Sequence, residues 1–265
     1  MTDLRTPEGG LAGLLKARAS LDGRDTVTWF NGTTWGWVPG EQQRPVFAFE
    51  GYNVARAVPA EDGFDLLTRE AVFYLDLATR APLDRWSNPY TGSDVEVVHI
   101  WNDPVNQRLR PGGPRGPFRL PVTDCGDEIV MTLDVYLTHP SPLPPSEFPQ
   151  HSGADLYQAA ELFQFFCRRA DVADDAVADA PSRVSWTRIG PWLPWMEMAD
   201  RPGMLVYHGQ GAKLPGGYAE LPEWIRARVD AQAPQFATAP REFTEPNETS
   251  WTYFRKHLQA RGANR

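Results

Sequence analysis

Two cysteines in 265 residues, Cys125 and Cys167, stand far apart and form no CxxC pair. The chain therefore offers neither a disulfide framework nor a cysteine zinc site. Its five histidines, at 99, 139, 151, 208 and 257, include no i, i+2 or i, i+4 pair. A metal centre would have to be assembled from distant strands, and neither a metal nor another cofactor is expected. GxGxxG after a strand, GxxxxGK[ST], HExxH and GxSxG are all missing, which removes support for dinucleotide, P-loop, zincin and α/β-hydrolase readings. No apolar run approaches the roughly 20 residues of a membrane-spanning helix. The opening MTDLRTPEGGLAGLLKARASL has only GLAGLL as an apolar stretch, unlike a secretory signal. The formal net charge of −8 supplies no field to draw in nucleic acid or an anionic membrane. These absences predict a soluble cytoplasmic protein that binds neither.

What is present is a globular composition, 42% hydrophobic and 23% charged, with ten tryptophans. No low-complexity linker divides the chain, so residues 1–265 are read as a single domain, and a homo-oligomer is compatible with it. Residues 7–21 predict a helix. Strand signals follow: TVTWFNGTTWGWVP, with a hairpin expected at Asn31-Gly32, then RPVFAFEGYNVARAVP, TREAVFYLD, DVEVVHIWND, DEIVMTLDVYLTHP, AELFQFFCRRAD, RVSWTRIGP and GMLVYHGQ. Roughly eight closely spaced strands predict a mainly β fold, a single antiparallel β-barrel of lipocalin-like or calycin-like plan. Helices are expected at its periphery, in PEWIRARVDAQ and in a C-terminal tail from Trp251.

Strand alternation selects the candidate site residues. In VFAFEGYNVAR one parity carries Glu50, Tyr52 and Arg56; the other carries Phe47, Phe49, Gly51 and Asn53. The first set suits the lining of a ligand-holding barrel, and it equally suits a solvated face. His99 and Trp101 share a parity, and the polar turn holding Asn102 follows them. WSNPYTG places Trp86, Asn88 and Tyr90 on one side of an Asn-Pro turn. GPWLPWMEM sets Trp192 and Trp195 beside two methionines, as ordinary packing or as the cap of an apolar cavity. In PNETSWTYFRKHLQAR one cap residue would start the helix, so Asn247 and its neighbours are surplus and could pin the tail to another polar turn.

The segments FEGYNVAR (49–56), WSNPYTG (86–92), VVHIWNDPVN (97–106) and PNETSWTYF (246–254) together resemble an uncharacterised bacterial family catalogued as a domain of unknown function. The resemblance spans most of the chain and implies that the four segments share one domain. Many relatives resemble exported proteins, and this chain departs from them there. The resemblance assigns no catalytic role. From the residues themselves, the expectation is cofactor-independent acid–base chemistry, a lyase or isomerase acting on a small hydroxylated aromatic or polycyclic compound. His99 or Glu50 would be the base and Tyr52 the proton donor. Arg56, Asn88, Tyr90, Trp101, Asn102, Trp192, Trp195 and Asn247 would line or orient. A non-catalytic carrier or sensor with the same barrel is the competing class.

Overall fold

In the computed structural model, which describes residues 2–114 and 116–263, the alternating segments form one long antiparallel sheet. The strands in chain order are β1 (Thr26–Trp37), β2 (Arg44–Ala60), β3 (Gly63–Leu75), β4 (Arg85–Ser87), β5 (Asp94–Glu96), β6 (Ile100–Asn102), β7 (Gln107–Leu109), β8 (Val122–Cys125), β9 (Glu128–Pro140), β10 (Leu156–Arg168), β11 (Ser182–Gly190) and β12 (Met204–Leu214). Four helices accompany them: α1 (Pro7–Arg18), α2 (Arg169–Ala173), α3 (Glu223–Gln232) and α4 (Ser250–Ala263). The sheet order is β6-β3-β2-β1-β12-β11-β10-β9-β8, with β7 also paired to β3, and β4 and β5 form a separate two-stranded ladder. Among the described residues no pairing joins β8 to β6 or β7, so the hydrogen-bond ladders do not close into a barrel.

The sheet nevertheless curls strongly. Neighbouring strands lie about 4.8 Å apart, so a flat sheet would hold β2 and β11 roughly 14 Å from each other. The rings of Phe49 on β2 and Trp186 on β11 are only 5.6 Å apart. Glycine permits this bend. Gly32 pairs with Phe49 on one side and Gly209 on the other. A Cβ at Gly32 would collide with the His208 carbonyl oxygen and lie 2.5 Å from Phe49 Cζ; one at Gly209 would lie 2.8 Å from the same atom. This corrects the expected hairpin at Asn31-Gly32. β1 runs straight through that dipeptide, and Gly32 is there to make room for a ring, not to reverse the chain.

One face of the curl is concave and the other convex. The convex face of β1, β2 and β3, carrying Val27, Tyr52, Val54 and Phe73, is covered by Ile225 and Val229 of α3 and by Phe236. The concave face is filled at one end by α1. Thr6 caps that helix, its hydroxyl accepting from the Gly9 amide, and Pro7 opens it. Leu11 and Leu15 pack on Ala55, Ala57 and Leu66 of β2 and β3. Leu14 and Ala17 pack on Met131, Phe165 and Val184 of β9, β10 and β11. A single helix thus bridges both arms of the sheet. Lys213 Nζ donates to the carbonyls of Lys16 and Ala19, and the Ser182 hydroxyl donates to Ala17 O. At the opposite end Phe47, Tyr74, Trp86, Trp195 and Met196 form an aromatic cluster joined by Trp251 and Phe254 of α4.

The α4 entry resolves the PNETS question. Thr249 is the cap: its Oγ1 accepts from the Thr252 amide at 3.2 Å while Thr252 Oγ1 accepts from the Thr249 amide at 2.8 Å. Asn247 has a different task. Its Oδ1 accepts from the Asn106 amide at 2.7 Å and its Nδ2 donates to Asn106 O at 2.8 Å, and the Glu248 amide donates to Pro104 O. The tail is thereby pinned to the WNDPVN turn. Thr249→Ala is expected to lower stability by about 1 kcal/mol, and Ser250→Ala by clearly less. Urea denaturation of the two variants checks the ranking, and an equal loss would contradict Thr249 as the cap.

Candidate active site

Register decides which side chains meet. The concave parity of β2 and β3 brings Asn53 opposite Glu70 and Phe49 opposite Tyr74. On β6 Asn102 stands opposite Glu70, and its Nδ2 donates to Glu70 Oε1 at 3.1 Å. The other arm supplies Glu161 and Phe163 from β10, Trp186 and Arg188 from β11 and Tyr207 from β12, in one ladder row with Arg188 opposite both Glu161 and Tyr207. Arg188 Nη2 donates to the Tyr157 hydroxyl at 2.5 Å, its Nε lies 3.6 Å from Glu161 Oε1, and its guanidinium sits 5.2 Å from the Tyr207 ring centre. Between the α1 end and the aromatic end, the concave face, hereafter the chamber, carries a polar belt flanked by aromatic side chains.

Electrostatics tie the two arms together across it. Burial, with Glu161 adding to it, raises the Glu70 carboxyl to about 7, against the hydrogen bond from Asn102 and the Arg188 guanidinium. Four strands, β2, β1, β12 and β11, lie between Glu70 on β3 and Glu161 on β10 in the sheet, and only a curled sheet lets one act on the other. Glu70 and Glu161 remain part-exposed even though Glu70 lies deep, which marks an interior that solvent reaches. Burial pushes Tyr207 up to about 12 with Arg188 opposing, and raises Tyr74 well above the ordinary phenol range with the Tyr207 phenol adding to it. The two phenols lie close enough to shift each other's ionisation, with Tyr74 on the donor side and Tyr207 on the acceptor side, although neither hydroxyl makes a fully formed hydrogen bond among the described residues. Both stay protonated at neutral pH. From α1, Arg18 reaches the same space: burial lowers it to about 10 with Glu161 opposing, and its Nη1 donates to Gln107 Oε1.

A carboxyl that titrates near neutrality can both take and return a proton at working pH. A guanidinium and two protonated phenols facing it can stabilise negative charge on a reacting oxygen. That combination supports proton transfer at a carbon or hydroxyl next to a carbonyl or an aromatic ring.

The residues selected from sequence fall into three places. Asn102 is in the chamber, bonded to Glu70. Glu50, Tyr52, Arg56 and Trp101 do share one face, but it is the convex one. There Glu50 accepts from Trp29 Nε1 at 2.8 Å, Tyr52 donates to Phe236 O at 3.0 Å and Arg56 donates to Asp25. Trp101 packs between Phe73 and Phe236. His99 is buried against Phe73 and Tyr74; its Nδ1 accepts from the Tyr74 amide, and burial, then Arg228, pushes it down to about 3, so it is neutral throughout the physiological range. The remaining five belong to the aromatic end or to the tail. Asn88 Nδ2 donates to Met196 O, Tyr90 packs tilted against Trp192, Trp195 is core, and Asn247 pins the tail. Trp192 also lines a surface cleft of about 200 Å³ with His151, Met198 and Trp251; Tyr157 borders both this cleft and the chamber.

Sequence reasoning missed Glu70, Glu161, Arg188 and Tyr74. The usable signal was there: in REAVFYL, ELFQF and SWTRIG a charged residue shares its parity with aromatics, as in Glu70/Tyr74, Glu161/Phe163 and Trp186/Arg188.

Residues 23–258 match the family described as protein of unknown function (DUF1838). The chain belongs to this family. All four segments that carried the resemblance lie inside the matched range, and three of them meet at structural contacts: WNDPVN with PNETS through Asn106 and Asn247, and FEGYNVAR with WNDPVN through Asn53, Glu70 and Asn102. A search of curated proteins finds no match. No helix among the described residues is long and apolar enough to cross a membrane.

Proposed function

We propose that the protein is a cofactor-independent acid–base enzyme, a lyase or isomerase, acting on a small hydroxylated aromatic compound held in the barrel-like chamber. Glu70 is the general acid and base, in place of His99 or Glu50. Arg188 and the phenols of Tyr74 and Tyr207 stabilise the oxyanion, and Asn102 orients Glu70. The observation that carries this reading is a solvent-reachable carboxyl titrating near neutrality, set across a chamber from a guanidinium and two phenols. A carrier or sensor needs no such group; lipocalin-like ligand holding is served by the aromatic walls alone.

Incubating the protein with hydroxylated aromatic compounds in deuterium oxide, followed by mass spectrometry, tests it. Solvent deuterium should enter the carbon next to the ring or carbonyl, or a C–C or C–O bond should break, without any added cofactor. Ligands that bind throughout such a panel with no exchange and no product would leave the carrier in place of the enzyme.

A further inference from the structure

The chamber contains buried hydrogen-bond donors that find no acceptor among the described residues: Arg188 Nη1, the Tyr74 hydroxyl, the Tyr207 hydroxyl and Trp186 Nε1. Arg188, Tyr74 and Tyr207 are 7%, 0% and 3% exposed. A buried donor without an acceptor is costly, and these four are grouped rather than scattered. Arg188 lies over Tyr207, the Trp186 and Tyr207 rings are 5.7 Å apart, and Tyr74 and Tyr207 act on each other. The guanidinium already meets Glu161 through Nε and Tyr157 through Nη2, so Nη1 is the edge left over.

We infer that the chamber takes an aromatic carboxylate, whose two oxygens are received by Arg188 Nη1 and the hydroxyls of Tyr74 and Tyr207 while its ring lies against Trp186 and Phe49. A carboxylate offers about four lone-pair sites on two oxygens, which suits several donors at once; a phenolate has one oxygen and a neutral carbonyl no charge. The surrounding charges agree. Arg18 and Arg188 face Glu161 and Glu70, and a Glu70 that holds its proton leaves one positive charge over. The aromatic preference follows from walls of Phe49, Phe163 and Trp186 in mutual contact. This inference rests on the chamber being the functional site, and it names the substrate class for it.

Calorimetric titration with 4-hydroxybenzoate and with its neutral isostere 4-hydroxybenzamide tests it. The carboxylate should bind at least about tenfold more tightly than the amide, as loss of a charge-assisted hydrogen bond implies. Tyr207→Phe and Tyr74→Phe each remove a hydroxyl with no fully formed protein hydrogen bond, so both should fold with little change in melting temperature. Each should weaken carboxylate binding about tenfold and leave amide binding nearly unchanged. Arg188→Lys, which keeps the charge and loses the planar fork, should weaken it as well. Equal affinity for the two probes, no binding of either at millimolar concentration, or phenylalanine variants that bind the carboxylate normally would each overturn the inference. Turnover of neutral aromatics without carboxylate affinity sinks this inference alone. Carboxylate affinity with no proton transfer supports it and sinks the catalytic reading alone.

Discussion

Glu70→Gln is expected to do two things at once: to lower turnover by about 10²–10⁴-fold, the range for loss of a general acid or base, and to make the protein more stable at pH 8. The stability arm needs no substrate. The native carboxyl titrates at about 7, above its ordinary value of 4.5. Between those values the folded protein retains a proton that the unfolded chain has released. Stability therefore falls as pH rises from about 4.5 through about 7, and levels off above that. A shift of this size corresponds to on the order of 3 kcal/mol, and the solvent access of Glu70 brings the expectation nearer 2 kcal/mol. Glutamine has no proton to lose. The variant and the parent should thus differ little in this respect near pH 4.5 and diverge toward pH 8, with the variant the more stable. Burial is the main cause of the shift; Glu161 adds to it, and Asn102, Arg188 and Asn53 oppose it. Urea denaturation at a series of pH values reads the divergence. A constant offset between the two proteins across that window would remove the perturbed carboxyl and with it the proposed acid–base group.

The second large effect concerns the bend. Gly32→Ala should destabilise the fold by about 3 kcal/mol or more, beyond the usual cost of one extra methyl in a core. The obstacle at Gly32 is partly backbone, the His208 carbonyl, which cannot swing aside like the end of a flexible side chain. The other obstacle is Phe49, whose ring is held between Phe30, Trp186 and Tyr207. Gly112→Ala is the matched control. A Cβ there meets nothing within 4 Å, and that change should stay within about 0.5 kcal/mol of the parent. If Gly32→Ala is tolerated as well as Gly112→Ala, the arms are not curled as described and the chamber loses its walls.

Much of the strand layout was legible, and the reason is periodicity. RPVFAFEGYNVARAVP, DEIVMTLDVYLTHP and RVSWTRIGP alternate strongly enough to mark β2, β9 and β11. DVEVVHIWND reads as one strand but divides into β5 and β6, because its first part pairs with β4 and its last with β3; that choice of partner is not encoded locally. The site was harder for a related reason. Alternation says that Glu50, Tyr52 and Arg56 share a side, yet β2 is buried on both sides and the pattern cannot tell chamber from back wall. The back wall is defined by α3 and by Phe236, which lies 184 residues beyond Tyr52 in sequence. Asn53, on the parity set aside, is the member of FEGYNVAR that faces Glu70.

The pairing of β1 with β12 has a consequence for how the protein comes into being. β1, β2 and β3 form a meander of neighbours in sequence, and so do β9, β10, β11 and β12; Val27 opposite Leu214 is where these two halves are stitched. Contacts of that sequence separation are slow to form, since a long loop must be closed before they return any stabilisation. Glu70, Asn53 and Asn102 belong to the early half, Glu161, Arg188 and Tyr207 to the late one. Each half can acquire its ladders during synthesis, but the proposed proton-transfer constellation exists in neither. It arises at the docking step, when α1, made first, finally reaches strands made last. An intermediate stalled before docking would show nearly full β-structure by circular dichroism and none of the proposed chemistry.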